Sequence, residues 1–350
     1  MTDTVRRDPF KIGPFEIAAG ERRTVDLPFS LLSNHTPMTL PVQVVHGRKP
    51  GPVLFISGVV HGDEVLGVEI IRRILRKPQL GRLAGTLLAI PVVNAYGLIS
   101  HSRYLPDRRD LNRSFPGSER GSLAAQLADL FRKEIVARSD VGIDLHTAAL
   151  HRTNLPQLRV ARYSGRMREL ADAFGAPLVM EANLRHGSLR ETALAMGVDV
   201  LLYEAGEALR FDEEAIRVGE RGIVAVMHRL GMLPGQAPKP VLKAGKTPLY
   251  SRKSFWIRAP EGGIFRALRQ SGHHASAGEL LGVVADPFGD TEFELHSPHD
   301  GLIIGHSHLP VVNQGDALFH VAKLTSAGPA VAEEGEAHER DTLFDEDEII

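Results

Sequence analysis

Two short stretches of this chain carry the residue types that hold a divalent metal ion. The first is Gly58-Val59-Val60-His61-Gly62-Asp63-Glu64. His61 and Glu64 are three apart, so both can point to one side of a turn that opens a helix. Gly58 and Gly62 let the backbone bend sharply around an ion. The second is Ile143-Asp144-Leu145-His146-Thr147. Two histidines and one carboxylate form a ligand set for catalytic zinc, with a fourth position left for water. The chain has no cysteine, so thiolate sites and disulfides are excluded. A lone histidine at a strand end is more often structural, and a spacing of three between His and Glu is common. The conjunction of the two stretches is what points to one zinc ion on His61, Glu64 and His146.

Such an ion lowers the pKa of a bound water from about 15.7 to roughly 7. A nearby carboxylate can take the proton and hand it to a leaving nitrogen. Glu204 follows the apolar run Val198–Tyr203 and is the candidate for that base. Glu207 competes with it, and a helix-start or loop carboxylate is the bland alternative. Asp63 reads as a group orienting a ligand or as an acid favoured by a helix N-terminus. Asp144 lies two before His146 on a strand and faces the same side. It can orient a ligand, contact substrate, or be a satisfied buried carboxylate.

The elements that position these groups are legible from apolar patterning. Pro52–Val60, Gly85–Val93, Val141–Leu145 and Val198–Tyr203 are apolar runs expected of strands covered on both faces. Val65–Leu75, Leu123–Ala137 and Glu213–Leu230 carry apolar residues at helical spacing. Strands alternating with helices predict an α/β sheet with helices on its faces. Ligands in such sheets gather at the carboxyl ends of strands, where His61, His146 and Glu204 all fall. Residues 1–50 read as short strands and turns. Pro234–Pro248, rich in Pro, Gly and Lys, reads as a linker.

Beyond it lies an internal repeat. Ala259–Ile264 is echoed by Ser297–Leu302 at an offset of 38, and Ala277–Leu281 by Gln314–Leu318 at 37. A repeated turn–strand unit predicts a small β-barrel or sandwich of two similar halves. The turns are like those of biotinyl/lipoyl hammerhead domains, but no Lys stands at the centre of a hairpin tip, so covalent cofactor attachment is not expected. His273, His274, His299, His306, His308 and His320 also fall there, and paired loop histidines are usually solvated. Glu333–Ile350 holds nine acidic residues against one Arg and reads as a disordered tail.

The 350 residues carry a formal net charge of −2, with 43% hydrophobic and 24% charged residues. That is ordinary for a soluble globular protein and gives no electrostatic footprint for nucleic acid or an anionic membrane. No secretory leader is evident, and no run approaches the roughly 18 apolar residues of a spanning helix. A cytoplasmic location is expected.

In order along the chain, His61-Gly62-Asp63-Glu64, Arg103, Asp110-Leu111-Asn112-Arg113-Ser114-Phe115, Asp144-Leu145-His146 and Glu204-Ala205-Gly206 resemble the succinylglutamate desuccinylase/aspartoacylase family of the zinc carboxypeptidase superfamily. The resemblance runs over about residues 52–230. It implies a carboxypeptidase-like α/β fold around a mixed, mostly parallel sheet, followed by a small all-β domain. It implies zinc on His61, Glu64 and His146, and Glu204 as general base. It implies Asn112 and Arg113 on a substrate carboxylate, and Arg103 polarising the scissile carbonyl. The gap from Arg103 to Asn112 is about two residues longer than in the shorter aspartoacylases, so Arg108 and Arg109 compete with Arg103. A further substrate-binding Arg precedes the catalytic Glu in that family; the nearest candidate is Arg190, at a different spacing.

The expected organisation is an N-terminal β segment at 1–50, a zinc hydrolase domain at 51–233, a C-terminal β-domain at 234–325 and an acidic tail at 326–350. The expected activity is hydrolysis of the amide of an N-acyl amino acid or related small carboxylate substrate. Removal of a C-terminal amino acid from a peptide is the rival enzyme reading. A non-catalytic carboxylate-binding protein is the rival of another class. The C-terminal β-domain is expected to screen the active site or to mediate contacts in a homo-oligomer.

Overall fold

The computed structural model describes residues 7–239 and 248–324. The expected acidic tail and most of the expected linker lie outside the described residues.

The N-terminal segment forms β1 (Phe10–Ile12), β2 (Phe15–Ile17), β3 (Arg22–Leu31) and β4 (Pro37–His46). The next stretch runs β5 (Lys49–Gly58), α1 (Leu66–Leu75), β6 (Ala84–Ile90), α2 (Ala95–Ser100), α3 (Leu123–Glu134) and β7 (Val141–Ala148). It continues through β8 (Arg152–Val160), α4 (Gly165–Phe174), β9 (Leu178–Glu181), α5 (Leu189–Ala195), β10 (Asp199–Glu207) and α6 (Glu213–Arg229). The C-terminal segment holds β11 (Leu249–Arg258), β12 (Gly263–Ala267), β13 (His274–Ala275), β14 (Leu280–Ala285) and β15 (Glu292–His296), then β16 (Gly301–Ser307), β17 (Val311–Val312) and β18 (Ala317–Leu324).

One twelve-stranded sheet dominates, in the order β13-β16-β18-β11-β9-β8-β10-β7-β5-β6-β4-β3. Its centre, β10-β7-β5-β6, is parallel throughout. Apolar runs serve there because both faces are covered. Leu54, Ile56, Ile143, Leu145, Leu201 and Tyr203 pack on one face in a core shared with α1, α4 and α6. Phe55 and Val200 pack on the other, with α3 and α5. Because side chains alternate along a strand, the second face also receives Ser57, Asp144, His146, Leu202 and Glu204.

The sheet is mixed, as expected, but parallel pairing is confined to two blocks, β10-β7-β5-β6 and β8-β9-β11. The remaining pairings are antiparallel, so "mostly parallel" describes the centre and not the whole sheet. The reason is hairpin growth at the edges. β3 and β4, ten residues each, join as a hairpin that extends the sheet beyond β6. Toward the other edge, β8 returns antiparallel to β10, and the C-terminal strands add β18 beside β11 and β16 beside β18 and β8, all antiparallel.

The repeat in sequence becomes two antiparallel pairs, β12–β14 and β16–β18. Each outer strand crosses over: β13 of the first repeat pairs with β16 of the second, and β17 of the second pairs with β12 of the first. β15, β14, β12 and β17 make a separate four-stranded sheet. Among the described residues no helix is long and apolar enough to cross a membrane.

Candidate metal centre and its cavity

β5 delivers the first group. The chain leaves it through Val59, whose φ is +55°. A β-branched residue in the left-handed region is an outlier costing roughly 1–3 kcal/mol, a strain typical of functional turns. The bend therefore sits on Val59 and not on Gly58 or Gly62, as the sequence had suggested. Gly62 matters for another reason. A Cβ there would come within 2.0 Å of the Gly97 carbonyl carbon and 2.3 Å of the Ser102 oxygen, so only glycine lets the turn pass this close to α2. α1 then starts at Leu66, just past Glu64.

β7 delivers the second group. His146 and Glu64 are both buried, as is His61. One ligand atom from each of the three residues lies within 4.8 Å of the others. His61 Nδ1 is 2.6 Å from Glu64 Oε1, and His146 Nδ1 is 2.8 Å from Glu64 Oε2. The far nitrogens are also held. His61 Nε2 lies 3.2 Å from Asp110 Oδ1, and His146 Nε2 lies 2.7 Å from Asp144 Oδ2. Ser57 Oγ donates to Asp144 Oδ1 at 2.7 Å, and the Thr147 N–H donates to Glu64 Oε2 at 3.1 Å.

Each imidazole thus faces a carboxylate from both nitrogens. A neutral ring has one N–H and can satisfy one of them. The other contact needs a positive partner, either a second proton or a metal ion. The donor set of two imidazoles and one carboxylate, each ring braced from behind by a carboxylate, fits a zinc-type site. The same crowding sets the charges. For His146, burial opposes protonation but Asp144 and Glu64 outweigh it, so its pKa stands well above the usual value. For His61, burial and Arg103 act downward, yet Glu64 and Asp110 raise it overall. Glu64 and Asp110 are held far below the usual carboxylate range: burial acts upward, and the histidines, with arginines beside Asp110, overcome it.

Around the trio lies a cavity whose walls include Arg103, Asn112, Arg113, Arg190 and Glu204. Arg103 Nη2 donates to Asp110 Oδ2 at 2.9 Å, and its Nη1 lies 3.5 Å from Glu64 Oε1. Arg108 and Arg109 are exposed, so Arg103 is the one of the three competing arginines that reaches the trio. Asn112 and Arg113 sit in a tight turn (111–113) capped by Asp110, whose carboxylate accepts the Asn112 N–H at 2.7 Å. Asn112 Oδ1 accepts from the Leu189 N–H at 2.9 Å, tying this turn to the start of α5. Arg190 follows on that helix and is 8% exposed. Burial, with Arg159 and Arg185 nearby, brings its pKa down to about 10. Its Nη2 donates to the Asn183 carbonyl at 3.0 Å, while Nη1 is buried without a hydrogen-bond partner.

Glu204 is 5% exposed and directly opposite His146 in the parallel β10–β7 pair. It lies inside β10, which runs on to Glu207, and not past the strand's end. The competitor Glu207 is turned elsewhere. It accepts the His151 N–H at 3.1 Å and lies 3.2 Å from His308 Nδ1, clamping the loop after β16 onto β10. Asp63 Oδ1 is buried without a hydrogen-bond partner, and its carboxylate feels the charges of Glu64 and His61.

Three polar wall residues were not singled out from sequence: Arg159, Arg185 and Ser188. Arg159 stands on β8, in Leu155–Val160, where alternation of polar and apolar residues was the available signal. Two roomier clefts, of about 480 and 530 Å³, lie elsewhere. Neither gathers a comparable set of converging groups, so chemistry and not size marks the site.

Comparison with known proteins gives the family. Residues 50–230 match the succinylglutamate desuccinylase/aspartoacylase catalytic domain. The N-alpha-acetyl-L-2,4-diaminobutyric acid deacetylase of Halomonas elongata is 27% identical over 301 residues, covering 82% of this chain and 86% of that protein. A succinylglutamate desuccinylase/aspartoacylase crystal structure from Rhodobacter sphaeroides is 26% identical, with a TM-score of 0.77, over 87% of this chain and 96% of that one. The product-bound ectoine utilization protein EutE (DoeB) of Ruegeria pomeroyi shares the fold, at 22% identity and a TM-score of 0.75, over 86% of this chain and 94% of that one. With a match over more than half its length, the chain belongs to the succinylglutamate desuccinylase/aspartoacylase family, whose relatives hydrolyse amide bonds as deacylases.

Proposed function

We propose that this chain is a zinc-dependent deacylase that cleaves the amide bond of an N-acyl amino acid or related small carboxylate. The observation that carries the reading is the convergence of His61, Glu64 and His146 within 4.8 Å, with Glu204 on the adjacent strand of the same cavity. The deacetylase named for the Halomonas elongata relative supports an acylated amino acid as the substrate class.

His61, Glu64 and His146 would hold the ion, with Asp110 and Asp144 behind the two imidazoles. When bound, zinc supplies an electrophile and acidifies a water. Glu204 would accept a proton from the attacking water and hand one to the leaving nitrogen. Arg103, fixed by Asp110, offers a donor where negative charge grows on the carbonyl oxygen. Asn112 and Arg113 bind the substrate carboxylate, Arg113 through its planar fork. Arg190, with a buried unpaired Nη1, adds a second anion contact. Residues 51–233 form the hydrolase domain, flanked by the N-terminal segment 1–50 and the C-terminal β-domain 234–325. The protein works in the cytoplasm on a diffusible substrate.

The test is elemental analysis of purified protein together with a panel of N-acyl amino acids and short peptides. About one zinc per chain and turnover of N-acyl amino acids are expected. His146→Ala should lose the metal. Glu204→Gln should keep the metal and lose turnover by about 10²–10⁴-fold. Turnover of peptides alone would favour the carboxypeptidase reading, and a Glu204→Gln protein with full activity would remove Glu204 from the mechanism.

A further inference from the structure

β8 runs antiparallel to β10 and lines the same cavity with a residue that the roles above leave unused. In register, Gln157 is opposite Glu204 and Arg159 is opposite Leu202. Arg159 therefore stands diagonal to Glu204, at the ~7–8 Å separation that a long side chain spans. It does span it: Arg159 Nε lies 2.9 Å from Glu204 Oε2. Both side chains are largely buried, at 14% and 6% exposed. The Nε–H is not aligned on that oxygen, so the contact at this nitrogen is chiefly charge on charge.

A general base has to hold its carboxylate in one place while the proton moves. Glu204 has rotatable bonds, and the strand beside it on the side away from β7 is β8. β8 is itself hydrogen-bonded on both flanks, to β10 and to β9, where Arg159 pairs with Met180. A guanidinium anchored on a doubly paired strand is a fixed point for a mobile carboxylate. We propose that Arg159 is a positioning residue, which pins Glu204 in the orientation from which it acts on the attacking water. In this role it works through Glu204 and not on the reacting amide. The inference rests on the assignment of Glu204 as the base.

The experiment uses the zinc-loaded full chain and the fastest N-acetyl-L-amino acid of the panel above. Arg159→Gln should lower kcat by roughly 10²-fold, the effect of misplacing a reacting group by about 1 Å. KM should stay within about threefold, and zinc content should be unchanged. Arg159→Lys, which keeps the charge, should recover most of the loss. Adding Arg159→Gln to Glu204→Gln should cost nothing further, since the two act as one unit. A rise in KM with kcat preserved would overturn the proposal and make Arg159 a substrate contact. An additive loss on the Glu204→Gln background would overturn it as well. If Arg159→Gln does not fold, Arg159→Lys decides: failure to fold or kinetics no better than Glu204→Gln would count against a positioning role. Full activity of Glu204→Gln marks failure of the base assignment itself, whereas an inactive Glu204→Gln beside a normal Arg159→Gln defeats only the present inference.

Discussion

His61 and His146 each meet carboxylates from both ring nitrogens, and that arrangement makes specific demands on single residues. Asp144 holds His146 by its far nitrogen and is itself held by Ser57. Replacing Asp144 with Asn removes the charge but keeps the shape. Loss of such a bracing carboxylate typically costs 10–100-fold in metal affinity. Competition with a zinc chelator should show that weakening for Asp144→Asn, with the fold intact by circular dichroism. An unchanged affinity would mean that Asp144 serves the substrate and not the ligand. At this scale His61, Glu64, His146 and Glu204 were all legible as candidates, because residue type and spacing already limit what they can do. Asp110, Arg159 and the bend at Val59 were not. Their roles come from partners 49 residues away, as with His61 and Asp110, or from a backbone angle that side-chain type does not announce.

Among the elements, the strands that flank the site were read correctly where they were apolar on both faces. β8 was missed because its site-facing side carries Gln157 and Arg159, which breaks the apolar run. α1 and α6, by contrast, were plain from their spacing, and their contact is stapled by charge. Glu69 binds Arg72 and Arg73, and Arg73 reaches Glu213 at 2.8 Å. Hydrogen bonds from Arg72 and Arg73, against the upward pull of burial, lower the Glu69 pKa to about 2 from 4.5. A depressed folded-state pKa adds stability that is complete above 4.5 and lost as pH falls through 2. Glu69→Gln should therefore melt lower than the parent at pH 7, by a small amount on the order of 1 kcal/mol or less because the partners are partly exposed. The difference should shrink as pH falls from about 4.5 and vanish near 2. A gap that persists at pH 2 would point to packing and not charge.

On the scale of the molecule, β16, β18, β11, β9 and β8 pair in succession, and β16 pairs back to β8. The C-terminal strands thus close a ring with β8 and β9 of the large sheet. Leu178 and Met180 of β9 share a small core with Leu302, Ile304 and Ala322. Ile304→Ala, at a position fully buried, should cost about 2–5 kcal/mol. Calorimetry should show one transition shifting as a whole. Two transitions, with only the lower one moved, would mean that the ring does not couple the segments.

What the sequence by itself determined was local. The period of apolar residues set helices against strands, and the repeat at offsets of 38 and 37 set two matching strand pairs. The types His, Glu and Arg fixed which chemistry was available. Only the tertiary structure decided that β8 would lie beside β10, so that Arg159 meets Glu204. Only it decided that Arg103 reaches the trio while Arg108 and Arg109 stay in solvent, and that Glu207 turns to His308. The physical reason is that strand order and register depend on pairings between distant segments. These are selected by the summed burial of both sheet faces, a quantity that no short window of residues contains.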